Sequence, residues 1–156
     1  MPTTDRNTPD HNGDSFTKEQ KLFLQGYNCA QSVFAANAEK YGIEFDAALR
    51  LSEGLGGGVG RMREVCGAFS ACAMLAGLKY GSAAPSKENK AEVYSRVQKM
   101  AEFFRTQNGS VVCREILELQ KGENSTPTPD PRTAEYYQTR PCLRVISTAS
   151  TIASQL

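Results

Sequence analysis

The sequence is poor in the residues on which most hydrolases and zinc enzymes depend. Of its 156 residues only one is a histidine, and none is a tryptophan. The single histidine, His11, lies in a polar segment that is not expected to hold it rigidly. Ser-His-Asp and Cys-His catalysis therefore lack a base that is fixed against a nucleophile. Catalytic zinc sites rich in histidine are excluded on the same ground.

The sequence also lacks the usual marks of a membrane protein or a nucleic-acid-binding protein. Its 18 Lys and Arg residues against 17 Asp and Glu leave a formal net charge of +1, with no basic block. No apolar run approaches the roughly 18 residues needed to cross a bilayer. Residues 1–14 lack the apolar segment of a signal peptide. We therefore expect a cytoplasmic protein with no nucleic-acid or membrane partner.

The distribution of apolar residues predicts one folded domain. Residues 1–15 have too little hydrophobic content to offset their ordering entropy, so we expect a disordered leader. Residues 16–156 are long enough for a single helical domain with its own core. Apolar residues recur at helical spacing and no alternating strand pattern is present. The prediction is an all-α fold, a compact bundle of about six helices.

Helix starts can be placed from capping residues. Thr17 with Gln20 forms a capping-box pattern, and Asn28 and Ser86 are typical N-caps. A glycine-rich loop, residues 54–60, precedes an apolar segment at 65–80 that predicts a central buried helix. We further expect one helix between Ser110 and Gly122, a short helical turn at 134–138 and a last helix from about Pro141.

Four of the five cysteines fall in the predicted first turn of a helix. They are Cys29, Cys66, Cys113 and Cys142. Unpaired amides and the helix dipole stabilise negative charge at such positions, which predicts a lowered thiol pKa and a thiolate able to react or to bind metal. The odd number of cysteines argues against a structural disulfide framework.

The fifth cysteine is predicted to have a different role, and the spacing of the other four does not match a known metal-binding motif. Cys72 lies six residues after Cys66, roughly 240° around the same helix, among small apolar residues, and is predicted to serve packing alone. The other four, at spacings of 37, 47 and 29 residues, match no compact CxxC motif. Buried cysteines without chemistry are common, so this alternative stays open. The absence of CxxCH excludes c-type haem attachment.

The glycine-rich loop, GLGGGVGR, contains neither GxGxxG nor GxxxxGK[ST], so no nucleotide motif is present. Its backbone can nevertheless approach a bound group closely, and Arg61 and Arg63 add positive potential. The alternative is a tight connection between packed helices. The candidate cofactor-binding positions are Gly56, Gly57, Gly58, Gly60 and Gly67.

These segments together resemble one protein family. GYNCAQSVF, then GLGGGVGRMREVCGAFSACAMLAGLKYG, then Cys113 and Cys142, are similar to the C_GCAxxG_C_C family over residues 16–143. The resemblance implies a redox-active protein whose four characteristic cysteines are Cys29, Cys66, Cys113 and Cys142. The family's CGAxxG motif ends here in Ala71 where glycine is usual, and we expect the fold to accept the added methyl group.

The leading hypothesis is that these four cysteines form one redox site. They could bind an iron–sulfur cluster for electron transfer, for which four cysteines are the usual ligands, or cycle between thiols and disulfide. The alternative is a helical binding module with a structural four-cysteine zinc site or with incidental buried thiols. With a redox site, the protein would be an oxidoreductase or an electron-transfer accessory protein. An unidentified redox protein is the expected partner, and the small residues of helix 65–80 could support a homodimer.

Overall fold

The computed structural model describes residues 15–156 and confirms the all-α prediction. The predicted leader, with His11, lies outside the described residues except for Ser15. The described part forms eight α-helices rather than about six, because several short connecting segments are themselves helical. The helices are α1 Lys18–Leu24, α2 Cys29–Ala38, α3 Phe45–Glu53, α4 Gly67–Tyr80, α5 Lys87–Asn108, α6 Cys113–Ile116, α7 Ala134–Thr139 and α8 Cys142–Ser154, with a 3-10 helix at Glu39–Tyr41.

The capping residues read from the sequence begin the helices as predicted. Thr17 and Asn28 each form a complete capping box with the glutamine three residues later. The Ser86 side chain accepts a hydrogen bond from the Asn89 amide at the start of α5. Local side-chain chemistry therefore sets where these three helices start.

The prediction of one helix from Ser110 to Gly122 was wrong. Helix α6 contains only Cys113–Ile116, with Val112 as its N-cap and Leu117 as its C-cap. The next residue, Glu118, has a φ of +58°. A residue in the left-handed region cannot continue a right-handed helix, so the chain turns away after one helical turn.

Helix α4 is the central element, as the sequence predicted. It packs against α2, α5 and α8. Its small residues, among them Ala68 and Ala71, are completely buried, so the methyl group of Ala71 is accommodated within the core. Phe69 packs against Phe104 of α5 with ring centroids 5.5 Å apart. None of the helices in residues 15–156 is long and apolar enough to span a membrane.

One isolated antiparallel β-bridge joins two distant segments, although the sequence shows no strand pattern. Val65 pairs with Val112. The Cys66 amide donates to the Val111 carbonyl at 2.8 Å, and the Cys113 amide donates to the Glu64 carbonyl at 2.6 Å. The bridge therefore places the starts of α4 and α6 side by side, with one cysteine at each.

Candidate functional site: a cavity lined by four cysteines

The structure brings together the four cysteines that the sequence singled out. They line one cavity of about 80 Å³, which we call the cysteine cavity. One water molecule needs only about 10–15 Å³ of such space, so the cavity can hold a group larger than a single water. All four cysteines are free thiols.

Each of these cysteines reaches the cavity from a helix start. Cys29 is the first residue of α2, directly after its N-cap Asn28, and Cys142 is the first residue of α8. Cys113 begins α6, and Cys66 is itself the N-cap of α4. The predicted placement at helix starts is thereby confirmed for all four.

Cys72 does not belong to this group. It is fully buried in the core, and its thiol lies 3.6 Å from the Ala149 carbonyl of α8. It does not line the cysteine cavity, which is consistent with the packing role predicted from its position around the helix.

Two glycines are required by close contacts at the cysteines. A Cβ on Gly67 would lie 2.7 Å from the Cys29 sulfur and 2.7 Å from the Leu55 carbonyl oxygen. A Cβ on Gly58, where φ is +76°, would lie 2.7 Å from the Cβ of Cys113. Any larger side chain at either position would push into the site.

The remaining candidate glycines differ in what they touch. Gly57 lines the cysteine cavity and also a neighbouring groove of about 420 Å³. Gly56 and Gly60 line only the groove. Gly56 lies against the Asn28 side chain, whereas a Cβ on Gly60 would meet nothing within 4 Å. The loop thus packs against the cysteine-bearing helix starts through Gly56, which lies against Asn28, and Gly58, which lies against Cys113.

Every charged side chain on the described cavity wall is an arginine. One of them, Arg63, is only 7% exposed, and its guanidinium lies 3.6 Å from the Cys113 sulfur. Its Nε also donates to the Asn124 carbonyl at 3.0 Å. The sequence pointed to positive potential at this residue, and the structure shows that it acts on one particular sulfur.

A single carboxylate organises the arginines beside the cavity. Asp130 Oδ2 lies 3.0 Å from Arg61, 2.9 Å from Arg140 and 3.9 Å from Arg63. Partial burial raises the pKa of Asp130, but the hydrogen bond and charge of Arg61 and the charge of Arg140 outweigh it, so the pKa is lowered overall. This carboxylate stays ionised and ties the loop after α6 to the glycine-rich loop.

Two further residues of the site were missed by the sequence analysis. Arg132 lines the cavity, stacks 3.9 Å from the Phe23 ring centroid and donates to the carbonyls of Phe23 and Tyr27. The Tyr136 hydroxyl contacts the Cys142 sulfur and lowers the pKa of that thiol. Arg132 ends the segment 123–132, whose three prolines indicate a surface loop, and Tyr136 lies in the helical turn predicted at 134–138. Neither segment carries a sequence signal that it folds over the cysteines.

The prediction that placement at helix starts lowers the thiol pKa values was wrong, because the net pKa shift is upward at Cys66, Cys113 and Cys142. Burial raises the pKa of Cys66 well above its ordinary value. The neighbouring Cys29 raises the pKa further, and the Phe69 and Ala68 amides, which point at this sulfur, lower it by less than burial raises it.

Burial also dominates the pKa shift at two other cysteines of the cavity. Burial raises the pKa of Cys142 to about 12 even though the residue as a whole is only half-buried, because its sulfur faces the cavity and not bulk water. Burial also raises the pKa of Cys113, with Arg63 opposing the rise. Without a metal these thiols are protonated at neutral pH.

The four cysteine thiols and their surroundings fit a metal–thiolate group, although the side chains are not arranged as metal ligands in this structure. Four cysteine sulfurs are the usual ligand set of an iron–sulfur cluster, and glycines leave room at two of them. Within residues 15–156, however, no three His, Cys, Asp or Glu side chains are arranged to hold a metal ion.

The fold and the cavity define a class of small helical protein with four cysteines converging from four helix starts. The family model described as "Putative redox-active protein (C_GCAxxG_C_C)" matches residues 27–156. Since the match covers most of the chain, the protein belongs to the C_GCAxxG_C_C family. No curated protein and no solved structure shows a significant match to the chain.

Proposed function

We propose that the protein binds an iron–sulfur cluster through Cys29, Cys66, Cys113 and Cys142 and serves in electron transfer. The observation that carries this proposal is the convergence of these four cysteines, from four separate helices, on one cavity. Exchange between a dithiol and a disulfide needs only two cysteines, whereas a cluster is ordinarily held by four. When bound, such a cluster would accept and release single electrons.

The charge around the cavity supports this proposal. Four thiolates bring more negative charge than ferric and ferrous iron with sulfide can offset, so a bound cluster is anionic. Arg63 and Arg132 line the cavity, and no acidic residue does so in the described part of the chain. Cationic neighbours and hydrogen bonds to the sulfurs stabilise such a group.

Burial supports the proposal as well. Cys66 and Cys113 are 6% and 9% exposed. Redox-sensing cysteines of the exchange type are typically exposed and have lowered pKa values. In contrast, a metal displaces the proton from a buried thiol directly, so burial is no obstacle to ligation.

A second candidate function, thiol–disulfide exchange, is favoured by one observation. Cys29 is only half-buried, whereas the Cys142 sulfur is shielded from bulk water, so Cys29 is the thiol of the cavity that a reagent or partner could reach most easily. In this alternative Cys29 would attack a disulfide of a partner protein, and a second cysteine of the cavity would displace the partner, which leaves as a dithiol while this chain keeps the disulfide.

The decisive experiment is a metal analysis with a visible spectrum on the full chain purified without oxygen. We expect brown protein containing both iron and acid-labile sulfide. Serine substitution at Cys29 or Cys113 should remove most of the iron, while the matched variant Cys72→Ser should retain it.

The other outcomes discriminate between the alternatives. Colourless protein containing zinc would indicate a structural zinc site formed by the four cysteines. Metal-free protein whose free-thiol count rises on reduction would favour disulfide exchange. Cluster binding would be refuted if neither Cys29→Ser nor Cys113→Ser changed the iron content.

A further inference from the structure

Arg63 is held in an unusual way for a charged residue. It is buried and has a φ of +62°, a backbone conformation that residues other than glycine rarely adopt. Its amide donates to the Gly57 carbonyl at 3.0 Å, and its own carbonyl accepts from the Arg114 amide at 3.2 Å. The backbone on both sides therefore fixes the residue in place, as is typical where strain accompanies function.

This fixed backbone aims the guanidinium at one sulfur. Its Nη1 lies 3.6 Å from the Cys113 sulfur, while its Nε is bound to the Asn124 carbonyl. A buried positive charge beside a sulfur acts through little intervening water, so its effect on that sulfur is strong.

Asp130 partly balances this charge. It lies closest to Arg61 and Arg140, at 3.0 and 2.9 Å, and is 3.9 Å from Arg63. One carboxylate thus faces three guanidinium groups, and the two shorter contacts leave much of the Arg63 charge available to Cys113.

We propose that Arg63 is a positioning residue that stabilises negative charge on the Cys113 sulfur, and that Asp130 sets how strongly it does so. Where the sulfur belongs to a bound cluster, the inference rests on the proposed function. Arg63 then favours the more negative, reduced state and raises the reduction potential. In the metal-free chain Arg63 makes the surroundings of this sulfur attractive to anions.

The first test measures the charge at Cys113 without any metal. In the reduced, metal-free full chain, the alkylation rate of Cys113 is followed by peptide mass spectrometry with anionic iodoacetate and with neutral iodoacetamide. We expect Arg63→Gln to lower the iodoacetate-to-iodoacetamide rate ratio at Cys113 by about threefold or more. Arg63→Lys should restore most of the ratio, and Asp130→Asn should raise it above the wild-type value.

Arg61→Gln is the matched control for loop structure. Arg61 contacts the same carboxylate and also Thr126 and Asn124, but it has no contact with a sulfur. If Arg63 only supported the loop structure, Arg63→Gln would change the alkylation rates of Cys113 with iodoacetate and with iodoacetamide by the same factor. Arg61→Gln would then change these rates at least as much as Arg63→Gln does.

The proposal would be overturned by an unchanged iodoacetate-to-iodoacetamide rate ratio in Arg63→Gln. It would also be overturned if Arg63→Gln and Asp130→Asn changed this ratio in the same direction. If Arg63→Gln does not fold, the sign of the Asp130→Asn change in an Arg140→Gln background decides, because the charge of Arg140 also acts on Cys113 and pairs with Asp130.

The second test uses the iron-loaded chain. Its reduction potential, followed by a spectroscopic redox titration, should fall in Arg63→Gln and rise in Asp130→Asn. Failure of the wild-type chain to take up iron would refute the proposed cluster while leaving the reagent ratio to decide the role of Arg63. Uptake of iron with the same potential in all three proteins would refute the role of Arg63 and retain the cluster.

Discussion

Cys66 and Cys72 lie on the same central helix segment and are both buried, yet their surroundings differ. Cys66 is 6% exposed and faces a cavity with three other cysteines and an arginine-rich wall. Cys72 is completely buried against α8, with a backbone carbonyl as its polar neighbour. The comparison shows that burial alone does not identify a functional cysteine. What distinguishes Cys66 is the open space, the further sulfurs and the positive charge beyond its thiol.

The largest change in the free energy of unfolding is expected from alanine substitution of two glycines in the same helix. Gly67 lies beside Cys66, and a Cβ there would be 2.7 Å from both a sulfur and a backbone oxygen, whereas a Cβ on Gly77 would meet nothing within 4 Å. We expect Gly67→Ala to destabilise the fold by about 1–3 kcal/mol, because the Leu55 backbone cannot easily move. Gly77→Ala should stabilise it by about 0.5–1 kcal/mol, because alanine restricts the unfolded chain and favours a helix.

Urea unfolding followed by circular dichroism measures both changes in the free energy of unfolding. Opposite signs in the two variants would support the view that the cysteine end of α4 is closely packed and the other end is open. A neutral or stabilising Gly67→Ala would show that the cavity end can relax, and it would contradict the close contact with Cys29.

Alanine substitution of the two cysteines should show a smaller contrast. Cys72→Ala removes a packed sulfur from the core, and we expect a loss of about 1 kcal/mol, as for other small deletions in cores. Cys66→Ala enlarges a cavity that already exists, so the metal-free chain should lose less than half of that. Equal losses in urea unfolding would mean that the two thiols are packed alike, contrary to the structure.

The helix starts and the difference between Cys66 and Cys72 could be predicted from the sequence because they depend on local chemistry. The capping side chains of Thr17, Asn28 and Ser86 set their helix starts without help from distant residues. The helical repeat predicted that Cys66 and Cys72 face different directions, and the structure places the first at the cavity and the second against α8. The resemblance to the C_GCAxxG_C_C family selected the same four cysteines that helix starts had selected.

The remaining features depend on contacts between distant parts of the chain. The bridge between Val65 and Val112, and the contact of Asp130 with Arg61 from a distant loop, leave no periodic signal in the sequence. The thiol pKa values also could not be predicted from helix starts, because that effect depends on nearby amides while the opposing burial depends on the whole fold. The net rise at Cys66 is therefore a property of the tertiary structure.

The smallest expected effect is a loss of stability at alkaline pH that comes from the Cys72 thiol. Burial, followed by the charge of Glu19, raises the pKa of Cys72 from 9.0 to about 12. In the unfolded chain this thiol ionises first, so its contribution to stability is complete below about pH 8 and is lost as pH rises toward 12. At pH 9.5 the loss should be under about 1 kcal/mol.

Urea unfolding of the metal-free chain between pH 7.5 and 9.5 should therefore show that the free energy of unfolding declines less steeply with pH in Cys72→Ala than in the wild type. Leu75→Val, a reduction at another fully buried residue of α4, should lower stability at every pH without changing the slope. A decline in Cys72→Ala as steep as in the wild type would place the proton-linked change elsewhere, among the thiols of the cysteine cavity.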